Sequence, residues 1–157
     1  EGNDNLRPLI SDYFKNIFQS GAEQVDVNLL APVKSVVTND MNGLLVAPYT
    51  KEDVRKALFQ IGDMKAPGPD GLHAIFFKRF WHILGDELTK EVLEAIDSKK
   101  IPEGWNATNI MLIPKVQNPE VITQYRPISL CNVVYKIISK MIANRLKKIL
   151  PDIIAPT

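Results

Sequence analysis

The spacing of apolar residues along this chain of 157 residues predicts a mostly helical fold. Apolar positions recur at helical spacing in "LISDYFKNIF", "LLAPVK" within a loop at 21–37, "TNDMNGLLVAPY", "TKEDVRKALFQI", "HAIFFKRFWHIL", "DELTKEVLEAI" and "NVVYKIISKMIANRLKKIL". We expect Gly85 to separate the helix of "HAIFFKRFWHIL" from that of "DELTKEVLEAI", and Pro151 to stop the last helix. Thr50 followed by Asp53 is close to a capping box, which marks the start of a helix.

Two short stretches are instead typical of β-strands. "ATNIMLIPKV" is apolar, favours β-structure and ends at Pro114, and "RPISL" is a second candidate strand. The two would form a hairpin whose long tip is "QNPEVITQY". The expected fold class is therefore α+β, mostly helical with a small β-hairpin.

The distribution of charge is more informative than the formal net charge of +1. Residues 1–64 carry 6 Lys/Arg and 9 Asp/Glu, whereas residues 99–157 carry 9 Lys/Arg and 3 Asp/Glu. A basic C-terminal part is compatible with nucleic acid and equally with a solvated face. The single cysteine, Cys131, excludes an internal disulfide. No apolar run reaches the ~18–20 residues that span a bilayer.

Several kinds of catalytic or metal site are excluded by the residues present. His73 and His82 lack companions at zinc-ligand spacing, and there is no Gly-x-Ser-x-Gly motif. The chain has no Asp-Asp pair of the kind that holds two magnesium ions. The adjacent acids Glu52-Asp53 and Asp86-Glu87 are expected to open helices, and Cys131 to be a buried thiol. We expect neither catalytic nor metal-ligating residues.

The stretch "KAPGPDGL" is predicted to be a rigid turn. Pro67 and Pro69 fix φ, Gly68 and Gly71 permit positive φ, and Asp70 can cap the next helix or bond locally. A Walker loop would need Lys and Ser/Thr after its glycines, which this stretch lacks.

Three stretches in series carry a family resemblance. "KAPGPDGL" is followed by "IMLIPK" and then by "YRPISLCNVVYKIISKMIANRLKKILPDII". Their order and spacing resemble the reverse transcriptase of LINE-type (non-LTR) retrotransposons, especially plant copies. The earlier "ISDYFKNIFQS" and "MNGLLVAPYTKEDVRKALFQIGDMKAPGPDG" resemble the segment that joins the family's endonuclease to its polymerase.

The resemblance implies a partial fingers subdomain of a right-hand polymerase. Residues 1–64 would be a helical linker and residues 65–157 the N-terminal part of the fingers, truncated before the palm. The family's catalytic aspartates lie further towards the C-terminus, so we expect no catalysis by this segment alone. Mg²⁺ is expected only for the complete polymerase, whose partners are an RNA template, an RNA/DNA duplex and a deoxynucleoside triphosphate. The resemblance also implies the nucleus, and no membrane partner.

The resemblance assigns roles to seven residues. Lys115 and Arg126 match the basic pair that contacts the triphosphate of the incoming nucleotide, where cations stabilise developing charge. Weaker candidates for template contact are Lys65, Tyr125, Lys136, Lys140 and Lys147. The structural alternatives are an Arg126–Glu120 ion pair, a solvated Lys115, a core Tyr125 and a solvated face on the last helix.

Other functions remain open from the sequence. The chain could be a non-catalytic basic helical module that binds RNA or protein, such as a domesticated remnant. It could bind membrane surfaces or calmodulin through the helix 132–150, although its regular aliphatic stripe favours a core-facing helix. It could also be an inert remnant. An incomplete fingers subdomain would leave apolar surface exposed, which favours a partner such as the missing palm, or aggregation.

Overall fold

A computed structural model describes residues 3–19 and 36–154, with side chains from residue 7 in the first range. The helix predicted around "LLAPVK" lies outside these residues. The described elements, in chain order, are α1 (Asn3–Phe18), α2 (Asn39–Val46), α3 (Lys51–Phe59), α4 (Ala74–Arg79), α5 (Trp81–Asp97), β1 (Thr108–Pro114), β2 (Tyr125–Cys131), α6 (Val133–Leu146) and α7 (Leu150–Ile153). β1 and β2 form a two-stranded sheet, which confirms the α+β class.

The chain divides into two compact units. The first contains the described part of residues 1–35 together with residues 114–125 at the tip of the hairpin. There Phe14 of α1 is buried, with its ring edge-on to Tyr13 at 5.1 Å between centroids. At the hairpin tip, the backbone N–H of Lys115 donates to the carbonyl of Gln124 at 2.7 Å.

The second unit, residues 36–113 with 126–157, holds the main hydrophobic core. α3, α4, α5 and α6 pack together, and α3 has its most extensive packing against α6. The largest fully buried side chains are Leu58, Ile137, Met141, Val54, Val92 and Val133. Each such side chain contributes about 1.5–3 kcal/mol to folding through burial. The apolar stripe of the last helix is thus a core face over most of its length, although Ile142 and Leu146 are exposed.

The start of α3 is the capping box that the sequence indicated. The hydroxyl of Thr50 accepts from the N–H of Asp53, and the Asp53 carboxylate accepts from the N–H of Thr50 at 2.9 Å. Val54, Ala57 and Leu58 then face the core. Glu52 and Asp53 do lie in the first turn of this helix, as predicted.

Three local predictions are wrong. The break between α4 and α5 falls at Phe80, while Gly85 lies buried inside α5 because its missing side chain makes room for the Trp81 ring. Asp86 and Glu87 consequently lie within a helix and do not open one. Pro151 also opens rather than ends a helix, since α6 ends at Leu146 and Pro151 takes the first turn of α7.

The predicted boundary between residues 64 and 65 divides the chain by resemblance, not by packing, and stays a prediction. Within the second unit, α2 and α3 pack on α6 across that boundary. The apolar side chains of the hairpin are largely exposed, with Ile110, Met111, Ile113 and Ile128 between 39% and 53% accessible. The sequence predicts exposed apolar surface on residues 74–96 and 132–150, and large apolar side chains are exposed there too, among them Phe80, Ile83 and Ile142.

Candidate nucleic-acid interface

The loop at residues 65–71 is fixed against the start of α6. The Lys136 ammonium donates to the carbonyl of Ala66 at 2.6 Å, and the Asp70 N–H donates to the side-chain oxygen of Asn132 at 3.3 Å. Gly68 packs so closely on the Cys131–Asn132 backbone that no side chain fits there. The loop is therefore a rigid structural feature, as its prolines and glycines predicted.

Within this loop the chain turns back on itself. The Gly71 N–H donates to the Gly68 carbonyl at 3.1 Å, and Gly71 has φ of 71°. The Asp70 carboxylate accepts from the N–H of Leu72 at 3.0 Å. Asp70 is thus a local hydrogen-bond partner and not a helix cap, because α4 begins only at Ala74.

Lys78 fixes the segment just before the loop. Its ammonium, whose side chain is 14% exposed, donates to the carbonyls of Phe59 and Ile61 and to the Asp63 carboxylate at 3.2, 2.6 and 2.6 Å. The Phe59 carbonyl belongs to the last residue of α3 and that of Ile61 follows the helix, and a cation is favoured at such a helix end. Residues 59–66 are therefore held by two lysines from other elements, Lys78 and Lys136.

An open groove of about 420 Å³ runs along α6 beside the end of β2. Lys136 and Lys140 line it together with the hydroxyls of Ser129, Tyr135 and Ser139. The apolar part of the lining comes from Ile61, Cys131 and Ala143.

Most of the surface of this groove is apolar, and its charged groups are the ammonium groups of Lys136 and Lys140. Among the described residues, Lys140 has neither a hydrogen bond nor an ion pair, so its ammonium is available to an anion. The Ser139 hydroxyl donates to the Tyr135 carbonyl at 3.0 Å and keeps its lone pairs. Lysines and hydroxyls are the groups that fix a nucleic-acid backbone without reading its bases.

The structure places the other candidate template residues away from this lining. Lys65 and Lys147 are exposed, and neither lines the groove. Tyr125 is half-buried at the start of β2, in the first unit. Among the predicted template residues, the groove therefore brings together Lys136 and Lys140.

The two predicted triphosphate residues belong to different units and are described separately. The Lys115 ammonium donates to the carbonyl of Thr123 at 2.7 Å, within the hairpin tip, so it is not simply solvated. Arg126 is exposed on β2, and in the described part of the chain it forms no ion pair with Glu120 or another acid. Their roles toward a nucleotide stay predictions.

Three further observations concern Cys131, groups that could hold a metal ion, and membrane spans. Cys131 is partly exposed rather than buried, with its sulfur 3.7 Å from the Thr108 hydroxyl. Within residues 3–19 and 36–154, no three His, Cys, Asp or Glu side chains are grouped as a metal site. No helix in these ranges is long and apolar enough to cross a bilayer.

Sequence reasoning missed Asn132 as an organising residue. Its side chain is only 8% exposed, accepts from Asp70 and donates to the carbonyl of Gly104 at 3.0 Å. An asparagine directly before a helix is a signal for an N-cap, yet this side chain makes no cap bond and instead joins two loops. Local pattern cannot show such partners, because they lie 28 and 62 residues away.

Comparison with known proteins identifies one informative relative. No family model matches the chain. It is 30% identical over 152 residues to the Transposon TX1 uncharacterized 149 kDa protein of Xenopus laevis. The match covers 96% of this chain and 12% of that protein. The chain is therefore related, over most of its length, to a segment of a transposon protein.

Proposed function

We propose that the chain is a segment of the RNA-directed DNA polymerase of a plant-like non-LTR retrotransposon. It comprises the linker and the N-terminal part of the fingers, and it contacts template RNA and the incoming nucleotide without catalysing the reaction alone. The relation to a transposon protein supports this proposal, and so does the motif series. The reaction itself belongs to the complete protein.

The observation that carries the proposal is the groove along α6. Lys140 is available for a phosphate contact, and Lys136 lines the same groove although it also holds the loop at Ala66. Lys136 is held in place without a ligand by its bond to Ala66, which lowers the entropy cost of binding, and Lys140 lies one helical turn further along α6. The groove therefore suits a single-stranded RNA backbone.

The incoming nucleotide is assigned to the hairpin. Lys115 and Arg126 are the residues that match the family's basic pair, and both side chains are exposed. A lysine offers a point charge and an arginine a planar fork to phosphate oxygens. In the complete enzyme Mg²⁺ would neutralise charge on the same triphosphate, and its ligands would come from the palm. Action on chromosomal DNA would place the protein in the nucleus.

RNA binding by the chain tests this proposal. We expect micromolar binding to a short single-stranded RNA that weakens steeply as salt rises, because each phosphate contact releases counterions. Lys140→Gln should lower the affinity and reduce the slope of log K against log salt by about 0.7. Lys90→Gln is the matched control, since Lys90 is an exposed lysine on α5 outside the groove. Absence of binding by folded protein at low salt would contradict the proposal.

A second candidate is a non-catalytic basic module that binds RNA or protein. The exposed apolar side chains of β1 and β2 favour it, because contiguous apolar surface commonly marks a protein contact. In that case substitutions at Lys115 and Arg126 would affect RNA binding no differently from substitutions along α6. A selective effect on nucleotide binding would favour the polymerase segment instead.

A further inference from the structure

A second cavity of about 420 Å³ lies where α2, α3 and α6 meet, and none of the residues that line it lines the α6 groove. Two lysines, Lys56 and Lys148, and two amides, Gln60 and Asn144, line it. These groups come from the end of α3 and from the last turn of α6 and the residues after it. They offer positive charge and amide groups to a ligand, and Asp53 is the one acid that lines the cavity.

One wall of the cavity is fixed by Arg145. Its guanidinium donates to the carbonyls of Leu45 and Pro48 at 2.9 and 3.2 Å and also to that of Ala47. It lies over the ring of Tyr49, with 3.4 Å between the guanidinium carbon and the ring centroid. Arg145 is therefore a structural cation, which shapes the cavity and leaves ligand binding to the lysines.

The two lysines are available. Within residues 3–19 and 36–154, neither Lys56 nor Lys148 forms an ion pair or a side-chain hydrogen bond, and both are exposed. The one acid in the lining, Asp53, already accepts from both the N–H and the hydroxyl of Thr50 at 2.9 Å. With Arg145 included, the lining carries a net charge of +2.

Helix ends explain only part of this arrangement. Lys56 lies in the last turn of α3, where a cation offsets the dipole. Lys148 directly follows the C-cap of α6, where the same effect applies, so the dipoles leave unexplained only the two amides that line the cavity. A concave, cationic site with amide groups and a prearranged wall is what a compact polyanion requires.

We propose that this cavity binds a phosphate group, carried by an RNA strand that also lies in the α6 groove. The groove and the cavity lie on largely different sides of α6 and meet at Lys140 and Asn144, which are neighbours on the helix surface. Lys140 and Asn144 are four residues apart, which is about 6 Å along a helix axis. The inference that an RNA strand carries this phosphate rests on the proposed RNA binding. The inference that the cavity binds phosphate does not rest on it.

The test compares charge-matched double variants of the full chain. We expect Lys56→Gln/Lys148→Gln to bind a short single-stranded RNA roughly five- to tenfold more weakly than the unaltered chain. Its salt slope should be smaller by about 1.4, which is about 0.7 for each lost phosphate contact. Lys90→Gln/Lys99→Gln removes the same charge outside both sites and should leave the slope unchanged. Thermal unfolding of each variant checks that all remain folded.

Inorganic pyrophosphate supplies the arm that does not depend on RNA. It should shift the NMR side-chain amide signals of Gln60 and Asn144 more than sodium chloride of equal ionic strength, and the Lys56→Gln/Lys148→Gln variant should lose the shift. RNA binding that is insensitive to this variant would overturn the inference and leave the proposed function standing. Failure of RNA to bind, with pyrophosphate shifts retained, would instead assign the cavity to a free phosphate compound and contradict the proposed function. Absence of both RNA binding and pyrophosphate shifts would overturn both this inference and the proposed function.

Discussion

At the scale of single residues, Gly68 shows most directly why the loop has its sequence. Its φ is not positive, unlike that of Gly71, so the glycine is needed for close approach rather than for an unusual backbone conformation. A side-chain carbon at Gly68 would clash with Asn132 and lie 2.6 Å from the carbonyl carbon of Cys131. We therefore expect Gly68→Ala to lower the free energy of unfolding by about 1–3 kcal/mol, as overpacking does.

Urea denaturation measures this loss, and Gly43→Ala is its control. Gly43 lies in α2 with open space around it, so alanine there should be neutral or stabilise the chain by up to about 1 kcal/mol. Equal effects of the two substitutions would show that the loop does not pack on Asn132 as described.

The same residues mark the limit of sequence reasoning at this scale. The prolines and glycines of the loop predicted its stiffness, because their effects on φ are local. They did not predict that Lys136 would donate to Ala66, a contact between residues 70 apart. The sequence makes Lys136 a weaker candidate for template contact, with a solvated face as the alternative, and in the structure it both lines the groove and holds the loop.

At the scale of elements, apolar spacing predicted the described helices and the hairpin well, and their ends less well. The α4–α5 break was misplaced because a glycine inside a helix is a weak breaker when its bare face is filled by an aromatic ring. A side-chain carbon at Gly85 would lie 2.8 Å from Trp81, so packing between these two residues explains the glycine. This contact between residues one turn apart in α5 thus outweighs a cost of about 1 kcal/mol in helix propensity.

α2 offers a prediction of its own, because it contributes no buried residue to the core. Its C-terminal carbonyls are instead held by Arg145, which also lies over Tyr49. Lysine keeps the charge but cannot present a planar fork to several carbonyls. We expect Arg145→Lys to accelerate amide exchange across residues 39–48 by roughly tenfold, while exchange in α5 changes little.

Lys147→Arg is the control for that measurement, since Lys147 is exposed at the C-terminal end of α6, two residues after Arg145. It should leave exchange in α2 unchanged. If exchange rose in α5 and α2 together after Arg145→Lys, the substitution would be destabilising the whole second unit. That result would contradict the conclusion that Arg145 acts mainly by holding α2.

At the scale of the whole chain, composition and pattern predicted the α+β class but not the division into two units. The N-terminal helix and the hairpin tip are far apart in sequence, and grouping them requires contacts that no local pattern encodes. The basic C-terminal part contains both structural cations and cations without a partner among the described residues, and counting charges cannot tell the two kinds apart. Arg145 and Lys136 bind carbonyls, whereas Lys140 and Lys148 have no such partner among the described residues.

In a chain extended C-terminally through a polymerase palm, we expect the hairpin to bind the nucleotide and the α6 groove to bind RNA. Lys115→Ala and Arg126→Ala should each weaken binding of a deoxynucleoside triphosphate by roughly tenfold, because each removes a charge-assisted contact of about 1.5 kcal/mol. RNA affinity should change little. Lys140→Gln should give the reverse pattern, with weaker RNA binding and an unchanged nucleotide constant.

Equilibrium titrations with RNA and with the nucleotide, made on the same variants, separate the two contacts. Lys115→Arg is a useful companion, since it keeps a cation that can reach both Thr123 and a phosphate. Uniform losses at Lys115, Arg126, Lys136, Lys140 and Lys147 would contradict the assignment of the hairpin to the nucleotide. Such losses would mean that positive charge acts without positional roles, as expected of a generic basic module, because a nucleotide contact depends on geometry and a diffuse field does not.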